Sequence, residues 1–257
     1  MVREWVWGDV PAGFRRFSPN RMQMVLVREG LEICLDPQRF TSHGEMAKET
    51  ALYYGRGKLL SFPLENGSAA LVRAYRHGGL LRQLTGEIFF TWPPRPFREL
   101  ATTVEARRRG VPTLEILGAC VERVWGPFYR GWLVTRELKG AHDFWAALQN
   151  EAYSEKEGMS LLQSVARSVR CMHQQGVYHG DLNLKNIVVR REGDAIKSYL
   201  IDFDKARLFS GRVPAESARK NLRRLLRSIG KLDPDRRRLS REAWDLFIRF
   251  YREADLG

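Results

Sequence analysis

The order of elements predicted along this chain is that of an α+β protein, strand-rich in its first half and helix-rich in its second. Three observations carry that expectation. Two apolar runs, Leu59–Leu64 and Ala69–Tyr75, flank Asn66-Gly67 and read as strand, turn, strand. From Met159 to Gln175, Leu161, Leu162, Val165, Val169 and Met172 recur at helical spacing, and Gly176 stops the run. After Asp204 the chain is basic and helical to its end.

The remaining elements follow in order. The first 40 residues are mixed, with Pro11, Pro19 and Pro37 breaking any long helix, and are expected to form an N-terminal extension. Residues 41–138 are expected to form a first lobe, and 139–257 a helical second lobe. A helix is expected from Phe97 to Arg109, ended by Gly110-Val111-Pro112. Segments 114–124 and 131–138 read as strands of one sheet; Ile187–Val189 and Tyr199–Ile201 flank the turn Gly193-Asp194.

With 257 residues, 44% of them hydrophobic and 11% aromatic, the chain can bury a large core and is not disordered. No apolar run is long enough to span a membrane, and the N-terminus carries no visible secretion signal. Three scattered cysteines, Cys34, Cys120 and Cys171, make neither a disulfide framework nor a metal cluster, which fits a reducing compartment. The net charge is +13, and Lys205–Glu242 alone holds 13 cations against four acids. An anionic partner is implied, nucleic acid or acidic membrane. No aromatic residue lies between Arg212 and Arg241, so base stacking has no platform there and nucleic acid is not expected.

The stretch that carries chemistry is His179-Gly180-Asp181-Leu182-Asn183-Leu184-Lys185-Asn186, followed by Asp202-Phe203-Asp204 at the end of a strand. Phosphoryl transfer asks a protein mainly to position groups and neutralise charge. A carboxylate beside the acceptor hydroxyl orients it and takes its proton, a role Asp181 matches. Hard oxygen ligands hold the metal that bridges the phosphates, a role Asn186 and Asp202 match. His179 reads as a brace for the loop, with Asn183 supporting it. Lys185 could reach a phosphate, although solvation is the commoner fate of such a lysine. Asp204 reads equally as a surface acid, or as a second metal contact or clamp on Lys205 or Arg207.

These two motifs resemble the catalytic loop, H-x-D-x-x-x-x-N, and the metal-binding D-F-G segment of the protein-kinase-like fold, and the resemblance covers about residues 50–230. It implies a two-lobed molecule with an antiparallel sheet in the first lobe, ATP and Mg2+ as cofactors, and a catalytic Asp181. It also implies a phosphate-covering loop at Gly55 and Gly57, a nucleotide-facing cation at Arg73, where most kinases have lysine, and a helix acid to hold it. Glu99 is the natural choice for that acid, with Glu105 the runner-up.

A second resemblance is more specific. Val72-Arg73-Ala74-Tyr75-Arg76-His77-Gly78-Gly79-Leu80, Tyr199-Leu200-Ile201-Asp202-Phe203-Asp204-Lys205 and Asn221-Leu222-Arg223-Arg224-Leu225-Leu226-Arg227-Ser228 are similar to segments of the bacterial lipopolysaccharide kinases, and most like those acting on 3-deoxy-D-manno-octulosonic acid (Kdo). What this implies is an enzyme peripheral to the cytoplasmic face of the inner membrane. It would transfer the γ-phosphoryl of ATP to the 4-hydroxyl of Kdo on a Kdo–lipid A precursor. A heptose kinase of the lipopolysaccharide core and an aminoglycoside-type phosphotransferase are the alternatives; the loop alone separates neither. Within Ser217–Ile229, Leu222, Leu225, Leu226 and Ile229 form one apolar stripe. Arg219, Lys220, Arg223, Arg224 and Arg227 are thereby offered to an acidic glycolipid or anionic membrane.

Overall fold

The strand, turn and strand at 59–75 belong to a larger sheet. The computed structural model describes residues 9–32, 50–51, 59–64, 67–76, 87–150 and 153–253. The chain divides into two units, 1–104 with 115–137, and 105–114 with 138–257. The second therefore takes up eleven residues of the first lobe expected from the sequence, 105–114 and 138.

In the first unit, seven antiparallel strands lie in the order β1-β2-β6-β7-β5-β4-β3. They are β1 (Phe14–Phe17), β2 (Gln23–Arg28), β3 (Thr50–Ala51), β4 (Leu59–Pro63), β5 (Ala69–Ala74), β6 (Ile116–Trp125) and β7 (Phe128–Arg136). The segment expected to be an irregular extension is corrected here, because it supplies β1 and β2, and β2 pairs with β6 from Gln23↔Glu122 to Val27↔Gly118. Period-two alternation explains why the sheet is apolar on both faces. Val25 and Val27 pack with Trp132 and Val134 on one face, whereas Leu26 packs with Ala119, Val121 and Leu133 on the other. The second of these faces is covered by helix α1 (Arg95–Arg108), through Phe97 and Leu100.

The stop at Gly110-Val111-Pro112 is a full C-terminal motif. Gly110 has φ +87, its N–H donates to the Arg107 carbonyl, and the Val111 N–H donates to the Ala106 carbonyl. The β4–β5 connection closes between Leu64 and Ser68, with Gly67 at φ +74; Asn66 lies outside the described residues.

The second unit contains β8 (His142–Asp143), α2 (Phe144–Gln149), α3 (Glu155–Gln174), β9 (Val177–Tyr178), β10 (Ile187–Glu192), β11 (Ala195–Leu200), β12 (Arg207–Leu208), α4 (Ala215–Leu232) and α5 (Arg241–Glu253). Ser154 and Glu157 form a reciprocal capping box that starts α3. Its stripe Leu161, Val165, Val169 and Met172 joins Phe144, Leu182, Phe203, Leu225 and Phe247 in one core. Helix α4 is rotated from the expected stripe: its buried residues are Ala218, Asn221, Leu225 and Ile229, while Leu222 and Leu226 are half-buried. An apolar face turned onto a protein core is not available to lie in a membrane interface.

The sequence stripe omitted Asn221 because an amide is an unexpected core residue. It is tolerated because its polar atoms are satisfied. Its Oδ1 lies 3.0 Å from His173 Nε2 on α3, and His173 Nδ1 lies 2.8 Å from the Tyr251 hydroxyl on α5. An amide oxygen only accepts, so His173 carries its proton on Nε2 and accepts from Tyr251 through Nδ1. Burial pushes His173 down to about 4, Arg170 and His179 adding to it against the Asn221 bond. Its folded value thus lies below the ordinary value near 6.5, so between those pH values the unfolded chain binds a proton that the folded chain refuses. Stability contributed by this group is present above pH 6.5 and is lost as pH falls toward 4, by about 3 kcal/mol in all. Urea melts of the wild type between pH 7 and 4.5 should show this loss. In His173→Gln the slope over that interval should be shallower, and identical slopes would refute the assignment.

Candidate active site

Backbone hydrogen bonds explain why the His179–Asn186 loop holds one shape. Asn183 caps a single 3-10 turn, Leu184–Asn186, its Oδ1 accepting from the Lys185 N–H at 3.0 Å. The Asp181 carbonyl accepts from Asn183 Nδ2 at 2.9 Å and from Asn186 Nδ2 at 2.7 Å. The Leu184 N–H donates to Ser228 Oγ on α4 at 3.1 Å. Asn221 closes the other end, its Oδ1 accepting from the His179 N–H at 3.2 Å and its Nδ2 donating to the His179 carbonyl. One amide side chain thereby pairs with a residue's backbone as a neighbouring strand would.

His179 is fully buried and braces the loop, as its place in the motif suggests. Its Nδ1 accepts from the Asp181 N–H at 3.1 Å, so Nε2 carries the proton and donates to the Ile201 carbonyl at 2.8 Å. The Ile201 N–H in turn donates to the Asn186 carbonyl at 3.0 Å. The rings of His179 and Phe203 lie 5.0 Å apart. Gly180 is needed because a Cβ there would sit 2.1 Å from the Lys205 carbonyl oxygen. The two acidic motifs are thus packed together along their backbones, bracketing Asp181 and Asp202.

Asn186 is fully buried, and with Nδ2 committed to the Asp181 carbonyl its Oδ1 has no hydrogen-bond partner among the described residues. A buried amide oxygen without a donor is costly unless something cationic meets it. Asp202, at the end of the segment bonded to Asn186, holds a left-handed backbone of φ 69 and ψ 59, a strained state for a residue with a Cβ. An orphaned amide oxygen and a carboxylate are the hard donors that suit Mg2+, which takes one or two protein oxygens beside those of phosphates and water. The reading of Asp204 as a surface acid is corrected: it is 5% exposed and buried beside Phe203.

In the first unit, Arg73 and Glu99 do meet. Arg73 Nη2 lies 2.6 and 2.7 Å from the two carboxylate oxygens of Glu99, which is 2% exposed. The Tyr75 hydroxyl donates to the same carboxylate, and the Arg73 guanidinium lies 4.9 Å over the Tyr75 ring. Tyr75 was missed, although residues two apart on a strand share a face and Arg73 had drawn attention to that face. The runner-up Glu105 bonds instead to Arg108 and Arg109, which hold its carboxyl down to about 2. Gly55 and Gly57 lie outside the described residues.

Asp181, Asn183 and Lys185 line a cavity of about 440 Å³ together with Arg224, Arg227, Ser228 and Lys231 of α4. Lys185 is half-buried and lines that cavity. The expected group of α4 cations divides: Arg224 and Arg227 reach the cavity, while Arg219, Lys220 and Arg223 are exposed and do not line it. Ser228 and Lys231 were missed as site residues, yet Arg224, Arg227, Ser228 and Lys231 sit at i, i+3, i+4 and i+7, the spacing of one helix face.

Comparison with known proteins agrees with this geometry. The profile of the lipopolysaccharide kinase (Kdo/WaaP) family matches residues 48–251. The chain is 30% identical over 209 residues to a 3-deoxy-D-manno-octulosonic acid kinase of Vibrio cholerae, covering 80% of this chain and 83% of that one. It is 32% identical over 187 residues to the protein of the same description in Xylella fastidiosa, covering 71% and 70%. Among solved structures, that of WaaP in complex with acyl carrier protein superposes with a TM-score of 0.55 at 18% identity, over 89% of this chain and 88% of that one, a likeness of fold. The α+β, protein-kinase-like fold, the paired acidic motifs and these matches lead to one statement: the chain belongs to the lipopolysaccharide kinase (Kdo/WaaP) family.

Proposed function

We propose that this protein transfers the γ-phosphoryl group of ATP to the 4-hydroxyl of Kdo on a Kdo–lipid A precursor, at the cytoplasmic face of the inner membrane. The single observation that carries this is the cation-lined cavity holding Asp181. Its backbone is fixed on both sides by Asn183, Asn186 and His179, which sets where the side chain starts from. As the acceptor oxygen bonds to the γ-phosphorus, its proton passes to Asp181 and the bridging oxygen leaves with ADP. Asn186 Oδ1 and the Asp202 carboxylate are the residues that would hold Mg2+, which when bound neutralises the charge of the phosphates. Arg73, kept in place by Glu99 and Tyr75, would supply the cation for the α- and β-phosphates. The names carried by the similar Vibrio and Xylella proteins favour Kdo over heptose as the acceptor.

No helix among the described residues is long and apolar enough to cross a membrane. Exposed aromatic and basic side chains support the membrane location. The first unit presents an aromatic cluster to solvent at the β6–β7 turn: Trp125 is 72% and Phe90 65% exposed, each within 5.6 Å, ring to ring, of Phe128. Exposed aromatics of this kind suit the headgroup region of a bilayer, and the exposed Arg219, Lys220 and Arg223 suit its anionic lipids.

Incubation of the protein with labelled ATP and purified Kdo–lipid A precursor, heptosylated core, an aminoglycoside or a generic protein tests the acceptor directly. Label should enter the Kdo acceptor; label in another acceptor alone would overturn the proposal. Asp181→Asn should lower kcat on the order of a thousandfold while ATP affinity stays within about twofold. Asp202→Asn should abolish the Mg2+-dependent part of nucleotide binding, read by titration with and without the metal. Trp125→Ala should weaken sedimentation with phosphatidylglycerol vesicles several-fold, and unchanged sedimentation would remove the turn from the membrane contact.

A further inference from the structure

The cavity holding Asp181 contains more positive charge than a base for a neutral hydroxyl requires. Lys185, Arg224, Arg227 and Lys231 contribute four cations to its wall, and Asp181 one anion. Some cations elsewhere in the second unit meet acids: Lys220 lies 2.8 Å from Glu216, and Arg190 lies 2.6 Å from Glu192. Among the described residues none of the four cavity cations forms such a pair. Four cations gathered in a concave surface with a single acid repel one another, and an anion brought from outside relieves them.

The placement is built into the helix. At about 100° per residue, Asn221 and Ser228 lie nearly in line along α4. Leu225 and Ile229 fall to one side of that line, in the core, and Arg224, Arg227 and Lys231 to the other. Asn221 grips the His179 backbone and Ser228 accepts from the Leu184 N–H, so the helix cannot roll without breaking the loop. The basic face is therefore held against the same cavity that Asp181 enters. A cavity of about 440 Å³ suits one or two sugar rings, and guanidinium groups match carboxylates through paired N–H donors.

We infer that Arg224, Arg227 and Lys231, together with Lys185, form a subsite for the carboxylate of the acceptor sugar, so that the cavity selects a sugar acid over a neutral sugar of similar size. This deepens the function proposed above and rests on it. The local charge is +3 from four cations and one acid, and a bound carboxylate lowers it to +2. A phosphomonoester formed on the neighbouring hydroxyl, of charge about −2, brings it close to zero. The subsite therefore favours both the acidic acceptor and its product.

The test pairs two acceptors with two proteins. The acceptors are the Kdo–lipid A precursor and the same molecule with its Kdo carboxylate converted to a carboxamide, which keeps the size and removes the charge. For the wild type, kcat/KM for the acceptor should fall tenfold or more on the amide, through KM. The double variant Arg224→Gln, Arg227→Gln should lose a similar factor on the acid and show no further loss on the amide, with the KM for ATP unchanged and its urea melt as cooperative as that of the wild type. A wild type indifferent to the amide, or a variant that loses equally on both acceptors, overturns the subsite. Calorimetric titration with free Kdo and its carboxamide gives a readout that needs no turnover. Should the wild type phosphorylate neither acceptor, the kinase reaction proposed above fails, and the titration decides the subsite alone. Acid bound and amide rejected by the wild type, with the preference lost in the variant, sustains it. Equal binding, or binding of neither, refutes it.

Discussion

One buried amide organises the second unit. Asn221 replaces a missing strand neighbour for His179 by donating to its carbonyl and accepting from its N–H, and it does so from inside a helix. A fully buried amide is tolerable only when its polar atoms are met, so the position is as demanding geometrically as an apolar contact is permissive. Because the bonds run to the backbone, they set the rotation of α4 as well as the path of the loop. The core side of the helix, the loop-binding Ser228 and the basic side then follow from helical geometry alone. The relay continues through His173 to Tyr251, so that three helices are tied to the His179–Asn186 loop through side chains that leave little slack.

The loop and the segment after β11 are joined with similar economy. His179 sends one ring nitrogen to each of the two motifs, and its tautomer follows from those partners. Gly180 lets the Lys205 backbone approach closely, and Asp202 accepts a left-handed backbone at the junction. Strain of order 1–3 kcal/mol at a single residue persists only where surrounding contacts over-determine it, and here the neighbouring Ile201 is bonded on both sides, to His179 and Asn186. At this junction Asn186 Oδ1 is left without a donor among the described residues, where a bound cation would meet it.

Much of this was legible because phosphoryl-transfer chemistry writes itself locally: eight consecutive residues carry the loop, and three more carry the second acidic motif. Helices α1 and α3 announce themselves through capping residues and periodicity. The first strands were illegible for a physical reason: Phe14-Arg15-Arg16-Phe17 alternates weakly, and what makes it a strand is a partner at Val25–Arg28. Asn221 was legible only as part of a resemblance, since a helical stripe drawn from apolar residues steps over a polar core position. For Asp204 the sequence left a surface acid and a buried contact equally open, because side-chain type is a poor guide to burial beside such a loop. The division among the α4 cations depends on helix rotation, which Asn221 sets and composition does not reveal.

The uncompensated cations around Asp181 have a consequence for the resting protein. Like charges held together by a rigid helix raise the free energy of the unliganded fold, so this region is a place where stability is exchanged for readiness. Substitutions there that make the isolated protein more robust to heat should be the ones that blunt its turnover, and natural ligands should act as folding stabilisers of the intact site. Selection for thermal resilience alone would erode this wall first.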